Sequence, residues 1–152
     1  MIALIQRVSR ASVRIDDHVV GAANEGVLIL LGIHRTDTLS ELEWLVKRTA
    51  NLRIFRDDDG KMNRSLLDIE GDALVVSQFT LYGDTRKGNR PSFVQSAPPE
   101  IAEPLYEQFI AALRNQLGRT VASGEFGAQM DVELINDGPV TIWLEKRAED
   151  ER

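Results

Sequence analysis

The chain has 152 residues, a formal net charge of −6 and no cysteine. One domain of that length hides roughly 68–70% of its unfolded surface without a covalent staple, and the missing cysteine excludes a disulfide framework, a thiolate metal site and a cysteine nucleophile. The acidic balance argues against a protein that coats nucleic acid nonspecifically, and no apolar run nears the roughly 20 residues of a membrane span.

The opening "MIALIQRVSRASVRI" alternates like a strand and has neither the apolar core nor the cleavage site of a signal peptide. It starts a hairpin region from about Ile2 to Ile33, with a turn near Asp16-Asp17-His18 and a further loop at 22–26. "GVLILLGI" is apolar on both faces, which predicts a central strand. Thr38 and Glu41 form a capping box ahead of Leu42, Leu45, Val46 and Ala50, predicting a helix over about 39–52. "NLRIFRDDDGKM" reads as a short strand and a turn, and "DALVVSQFTLYG" as a buried strand. Ile101, Leu105, Phe109, Leu113 and Leu117 recur every fourth residue, predicting a second main helix that Gly118 closes in the left-handed conformation. Pro104 requires that helix to start late or to kink.

"LINDGPVTIWLE" reads as a terminal hairpin. Met130, Val132 and Leu134 alternate before it, Val140, Ile142 and Leu144 after it, and Asn136-Asp137-Gly138 suits a tight turn. Pro139 is surplus to that turn and gives up a donor where the ladder should restart, so it belongs on an edge or where backbone shape matters more than pairing. With no repeat and no linker rich in Pro, Gly or Ser, residues 1–152 form one α+β domain, two main helices on antiparallel β-sheet.

A hydrolase inventory comes out empty. His18 lies in a turn and His34 follows a strand, neither in a nucleophile context. No metal-ligand spacing, P-loop or dinucleotide fingerprint is present, so neither a metal nor a cofactor is expected. The segment "VVSQFTLYGDTRKGNRPSF" stands out because polar residues interrupt a buried strand before a basic loop. On a regular strand Ser77 and Phe79 face one way, Gln78 and Thr80 the other, so Ser77 and Thr80 cannot form a dyad. Two readings follow: a strand losing burial whose hydroxyls bond nearby backbone, or a strand end that offers a hydroxyl and N–H groups to a substrate carbonyl. Arg86, Lys87 and Arg90, with Lys61 and Arg64 elsewhere, are either solvated surface or a local basic patch. Glu145, Glu149, Asp150 and Glu151 make the tail acidic.

"VVSQFTL" at 75–81, "GNRPSF" at 88–93, "NDGPVT" at 136–141 and the opening "MIALIQRVSRASV" together resemble the D-aminoacyl-tRNA deacylase family nearly end to end. The resemblance implies that family's barrel-like fold and a cytoplasmic homodimer. It further implies hydrolysis of the ester joining a D-amino acid, or mischarged glycine, to the 3′-terminal adenosine of tRNA. Ser77, Gln78, Phe79 and Thr80 would line the pocket as catalytic residues. Gly138 and Pro139, joined by a cis bond, would enter from the partner subunit, capture the substrate amino group and exclude an L side chain. Arg7 would brace that motif, Met130 would lie near the adenosine, and Arg86, Lys87 and Arg90 would meet tRNA. A sister branch has Pro-Gln-Ala-Thr where this chain has Ser77-Gln78-Phe79-Thr80, which points to the D-specific branch.

Without a histidine base, either Thr80 is the nucleophile or the substrate's ribose 2′-hydroxyl assists water attack, and the second is preferred. Two rival readings are a noncatalytic dimeric module binding D-amino acids or tRNA ends, related to synthetase editing domains, and a purely structural β-rich dimer. Ester loss from D- and L-tyrosyl-tRNA separates all three.

Overall fold

The computed structural model describes residues 1–148; Glu149, Asp150 and Glu151 of the acidic tail lie outside the described residues. Strand β1 (Ile2–Ile15) turns through Asp16 and Asp17, both at positive φ, into β2 (His18–Ala23). This is the conformation that two-residue hairpins favour. β3 (Gly26–Gly32) returns along the first half of β1 and pairs in parallel with β6 (Asp72–Ser77), which pairs in parallel with the short β7 (Ala122–Ser123). The sheet is therefore mixed where a wholly antiparallel one was expected, because α1 (Leu39–Asn51) and the connection after it carry the chain back before β6 begins. A Cβ on Gly21 of β2 would stand 2.6 Å from the Ser123 carbonyl oxygen of β7. That close approach brings the two ends of the sheet together and makes it nearly closed.

β3 is buried on both faces as its sequence predicts: Val27, Ile29 and Leu31 enter the main core, and Leu28 a smaller cluster with Val8, Val13, Leu74 and Val76. The main core lies between the sheet and the two long helices, α1 and α3 (Pro99–Leu117). Thr38 and Glu41 form the expected capping box on α1. The small β4 (Phe55–Arg56) and β5 (Met62–Arg64) pair apart from the main sheet, and α2 (Leu66–Ile69) is a single turn. α3 begins at Pro99 and continues through Pro104. The acceptor freed there is the Glu100 carbonyl, in an exposed first turn where water can take it. Gly118 closes α3 at φ 67°.

The predicted terminal hairpin is not formed. Residues 131–145 are one edge strand, β8 (Asp131–Glu145), running antiparallel to β1 from Arg14↔Asp131 to Ile2↔Glu145. Between Arg10↔Ile135 and Gln6↔Thr141, six steps of β8 oppose four of β1, and the extra residues bulge out around Gly138-Pro139. An even excess keeps the alternation in phase, so one bulged strand carries the same pattern as two strands and a turn. Asn136 makes the bulge possible. Its Oδ1 accepts from Val140 N at 2.7 Å and its Nδ2 donates to Val140 O at 3.1 Å, replacing ladder bonds that Pro139 interrupts.

Candidate active site

β6 stops at Ser77 because its partner β3 stops at Gly32. Gln78 N still reaches Leu31 O at 2.8 Å, after which the backbone must satisfy itself locally. It does so as a 3₁₀ turn over Phe79–Tyr82, with Leu81 N donating to Gln78 O at 3.2 Å and Gly83 N to Thr80 O at 2.9 Å. The strand expected through Tyr82 is thus corrected. The strict alternation of Ser77 and Phe79 against Gln78 and Thr80 goes with it. The first N–H groups of such a turn, at Phe79 and Thr80, have no acceptor inside it.

Ser77, Gln78 and Phe79 line one wall of a cleft of about 770 Å³. Ser96, Ala97 and Pro98, leading into α3, line another, and the 126–130 segment with Phe126 and Met130 a third. None of the lining residues is ionisable. Thr80 stands beside the cleft, exposed, and its hydroxyl accepts from the Gln78 side-chain amide. An amide NH₂ takes an oxygen lone pair and cannot accept a proton, so this contact leaves the Thr80 hydroxyl proton free to be donated and provides no base for a nucleophile. Phe79 is exposed at the rim, edge-to-face with Phe93 at 5.0 Å between centroids.

The same turn shows its other side to a second cleft of about 550 Å³, lined by Leu81, Tyr82, His34 and Trp143. Burial, then the charges of Asp37 and Glu145, hold the Tyr82 phenol neutral far above its ordinary range. His34 is occupied here between Thr36 Oγ1 at 2.8 Å and Gln95 Oε1 at 2.7 Å. Neither histidine lines the first cleft. Among the described residues no group of three His, Asp or Glu is placed to hold a metal ion.

Arg7, Gly138 and Pro139 form a separate constellation. Gly138 and Pro139 are exposed on the β8 bulge, with φ 143° at Gly138 and a cis peptide bond between them. Arg7, only 2% exposed, lies behind them. Its Nε donates to the Asp137 carbonyl at 2.9 Å and its Nη1 to the Ile54 carbonyl at 2.6 Å. Within one chain the structure does not bring Gly138 and Pro139 into the cleft of Ser77, Gln78 and Phe79.

The basic loop leaves the 3₁₀ turn and is closed by Asp84 and Ser92, whose backbones exchange bonds of 2.8 and 2.9 Å. Arg86 folds back onto the Asp84 carboxylate, Nη2 to Oδ2 at 2.7 Å. The Arg86 hydrogen bond holds the Asp84 carboxyl down to about 2. The Arg86 charge is therefore locally matched, and Lys87 and Arg90 project at the tip. Sequence reasoning missed Ser96, Ala97 and Pro98 as a cleft wall. Pro98-Pro99, the N-cap and first residue of α3, mark a helix start, but nothing local announces Ser96.

The sequence profile of the D-Tyr-tRNA(Tyr) deacylase family matches residues 4–145. The D-aminoacyl-tRNA deacylase of Salinibacter ruber is 59% identical over 150 residues, 99% of this chain and 100% of its own. That of Roseiflexus castenholzii is 61% identical over 145 residues, 95% of this chain and 92% of its own. Among solved structures, the c-Myc DNA Unwinding Element Binding Protein superposes with a TM-score of 0.91 at 44% identity, covering 97% of this chain and 100% of that one. A probable eukaryotic D-amino acid tRNA deacylase shares the fold, with a TM-score of 0.80 at 22% identity over 94% of this chain and 97% of its own. Identity of this extent, along the whole length that carries the cleft and the bulge, shows that the chain belongs to the D-Tyr-tRNA(Tyr) deacylase family, a family of hydrolases.

Proposed function

We propose that this protein hydrolyses the ester of D-aminoacyl-tRNA, and of glycyl-tRNA, in the cytoplasm as a homodimer, with each cleft completed by Gly138-Pro139 of the partner subunit. The observation that carries this reading is the arrangement of the bulge. It puts Gly138 and Pro139 on an exposed edge, is braced from behind by a buried arginine, and lies outside its own chain's cleft. A rigid pair of acceptors suits an ammonium group held close to the substrate Cα. A wall at that point rejects an L side chain by sterics and needs no side-chain pocket, so glycine passes.

The chemistry then falls to position and polarisation. The ester carbonyl accepts from N–H groups at Phe79 and Thr80, which meet the oxyanion as it develops. Water assisted by the substrate's ribose 2′-hydroxyl adds to the carbonyl carbon, the bond to the 3′-oxygen breaks, and that oxygen leaves with a proton. Thr80 donates and orients, consistent with its acceptance of a bond from Gln78. Met130 and Phe126 supply the apolar wall for the adenosine, and Lys87 and Arg90, with Arg86 beside them, face the tRNA backbone.

Ester loss from D-tyrosyl-tRNA with the L form spared is the expected result, and a protein that binds D-tyrosyl-tRNA without cleaving it would support the noncatalytic rival. Sharing between subunits has its own test. Mixing Thr80→Ala and Gly138→Ala protomers, each strongly impaired on its own, should regenerate one fully active cleft per mixed dimer; failure to rise above the homodimers in verified mixed dimers would place both elements in one chain's site.

A further inference from the structure

We infer that Ser96 is a positioning residue that sets the direction of the Thr80 N–H; this rests on the reading that the Phe79–Thr80 peptide polarises the substrate ester. Ser96 Oγ donates to the Phe79 carbonyl oxygen at 2.9 Å. Within the 3₁₀ turn the carbonyls on either side are bonded inside the turn, Gln78 O by Leu81 N and Thr80 O by Gly83 N. The Phe79 carbonyl between them faces Tyr82 N within the 3₁₀ turn and, in addition, accepts from the Ser96 hydroxyl of another segment. A peptide group is planar and trans, so its C=O and N–H point in opposite directions and turn together. A hydroxyl that holds the Phe79 oxygen therefore also fixes the Thr80 N–H on the opposite side, and rotation of that peptide would carry the donor away from the ester.

Ser96 is a firm post for such a latch. Arg35 N donates to Gln95 O at 3.0 Å and Ala97 N to Ile33 O at 2.9 Å, pinning the chain to the end of β3 on both sides of Ser96. Ser96 N closes a turn onto Phe93 O at 3.0 Å, and the His34 ring holds the Gln95 side chain at 2.7 Å. The hydroxyl thus connects a fixed segment to the peptide that carries the Thr80 N–H, one of the two donors the reaction uses.

Ser96→Ala removes a single oxygen and introduces no clash. With D-tyrosyl-tRNA it should lower kcat about tenfold or more, bounded by the roughly 10²–10³ expected for loss of the donor itself, while KM stays within about twofold. Ser96→Thr, which keeps the hydroxyl, should recover most of kcat. In ¹⁵N-labelled protein without substrate, the Thr80 amide resonance should shift and broaden in Ser96→Ala and keep its native position in Ser96→Thr. Native kcat in Ser96→Ala, a change confined to KM, or an unmoved Thr80 amide would overturn the inference. Should Ser96→Thr not fold, the Ser96→Ala split and the amide resonance decide alone. Absence of turnover by the native protein would overturn the deacylase reading instead, and the amide measurement would still judge the latch.

Discussion

Arg7 Nε and the Asp137 main-chain oxygen are 2.9 Å apart, with the Asp137 carboxylate a further 3.5 Å contact, so one buried guanidinium on β1 grips the bulge of β8 at its base. The same side chain donates to Ile54 O, which makes it a three-way anchor between β1, the bulge and the segment after α1. Lysine cannot reproduce that fork. Arg7→Lys should leave at least one buried carbonyl unpaired, costing about 1–3 kcal/mol of stability. It should also loosen Gly138-Pro139, so that the D-to-L ratio of kcat/KM falls more than turnover of the D substrate. Paired kinetics on both enantiomers and a thermal melt check this; an unchanged ratio in a destabilised protein would reduce Arg7 to a packing role.

The contact between Gln78 and Thr80 separates two mechanisms. With no base beside the hydroxyl, Thr80→Ala should retain residual activity, down roughly 10²–10³. Substrate ending in 2′-deoxyadenosine should fail with the native protein. Normal cleavage of the deoxy substrate combined with a dead Thr80→Ala would make the hydroxyl the nucleophile.

A cleft without ionisable lining predicts a plain pH profile. From about pH 5.5 to 7, where histidine titrates near 6.5, kcat should show no inflection, and His34→Gln should not alter the shape. An inflection near 6.5 that vanishes in His34→Gln would bring a histidine base into the reaction. Exhaustive chelation should likewise leave the rate unchanged, and a loss restored by added zinc would count against the reading.

For the basic loop, the Asp84–Arg86 pair changes what replacement of each charge should do. Lys87→Ala with Arg90→Ala removes the exposed cations, so KM should rise and its salt dependence flatten while kcat holds. Arg86→Ala leaves the Asp84 carboxylate unmatched, so it should raise KM as well, and Asp84→Asn in that background should recover part of it. Because Asp84 is held below its ordinary carboxylate range, the pair is fully formed above the unfolded value near 3.8 and breaks only as pH falls through about 2. Loop order followed by NMR should therefore persist through the neutral and mildly acid range.

What the sequence made legible was local. The capping box at Thr38 and Glu41, the two-sided burial of β3 and the left-handed end of α3 at Gly118 each depend on neighbours within one element. The errors came where a distant strand decides the outcome. β6 becomes a 3₁₀ turn because β3 ends at Gly32, and 131–145 stay one strand because β1 runs alongside it for nearly its full length. Periodicity sees neither partner. The cleft shows the same division: Ser77, Gln78, Phe79 and Met130 were found through motifs, whereas Ser96 acts through a carbonyl 17 residues away in sequence.

Gly138 provides the most discriminating test of the bulge. At φ 143° an L side chain is disfavoured, and a Cβ built there would lie 2.8 Å from Val140 Cγ2, 3.0 Å from Val140 N and 3.2 Å from Arg7 Nη2. The arginine is held by two carbonyls and the valine is buried, so the bulge itself has to move. Asn136 can still close it onto Val140, and β8 pairs with β1 on both sides. Gly138→Ala should therefore fold and dimerise while its carbonyls are displaced from the direction that meets an amino group. Activity on D-tyrosyl-tRNA should fall sharply, and the D-to-L ratio of kcat/KM should fall with it. A folded Gly138→Ala dimer that keeps the native ratio would show that chirality is read elsewhere, and the cleft wall at Phe79 would then be the surface to examine.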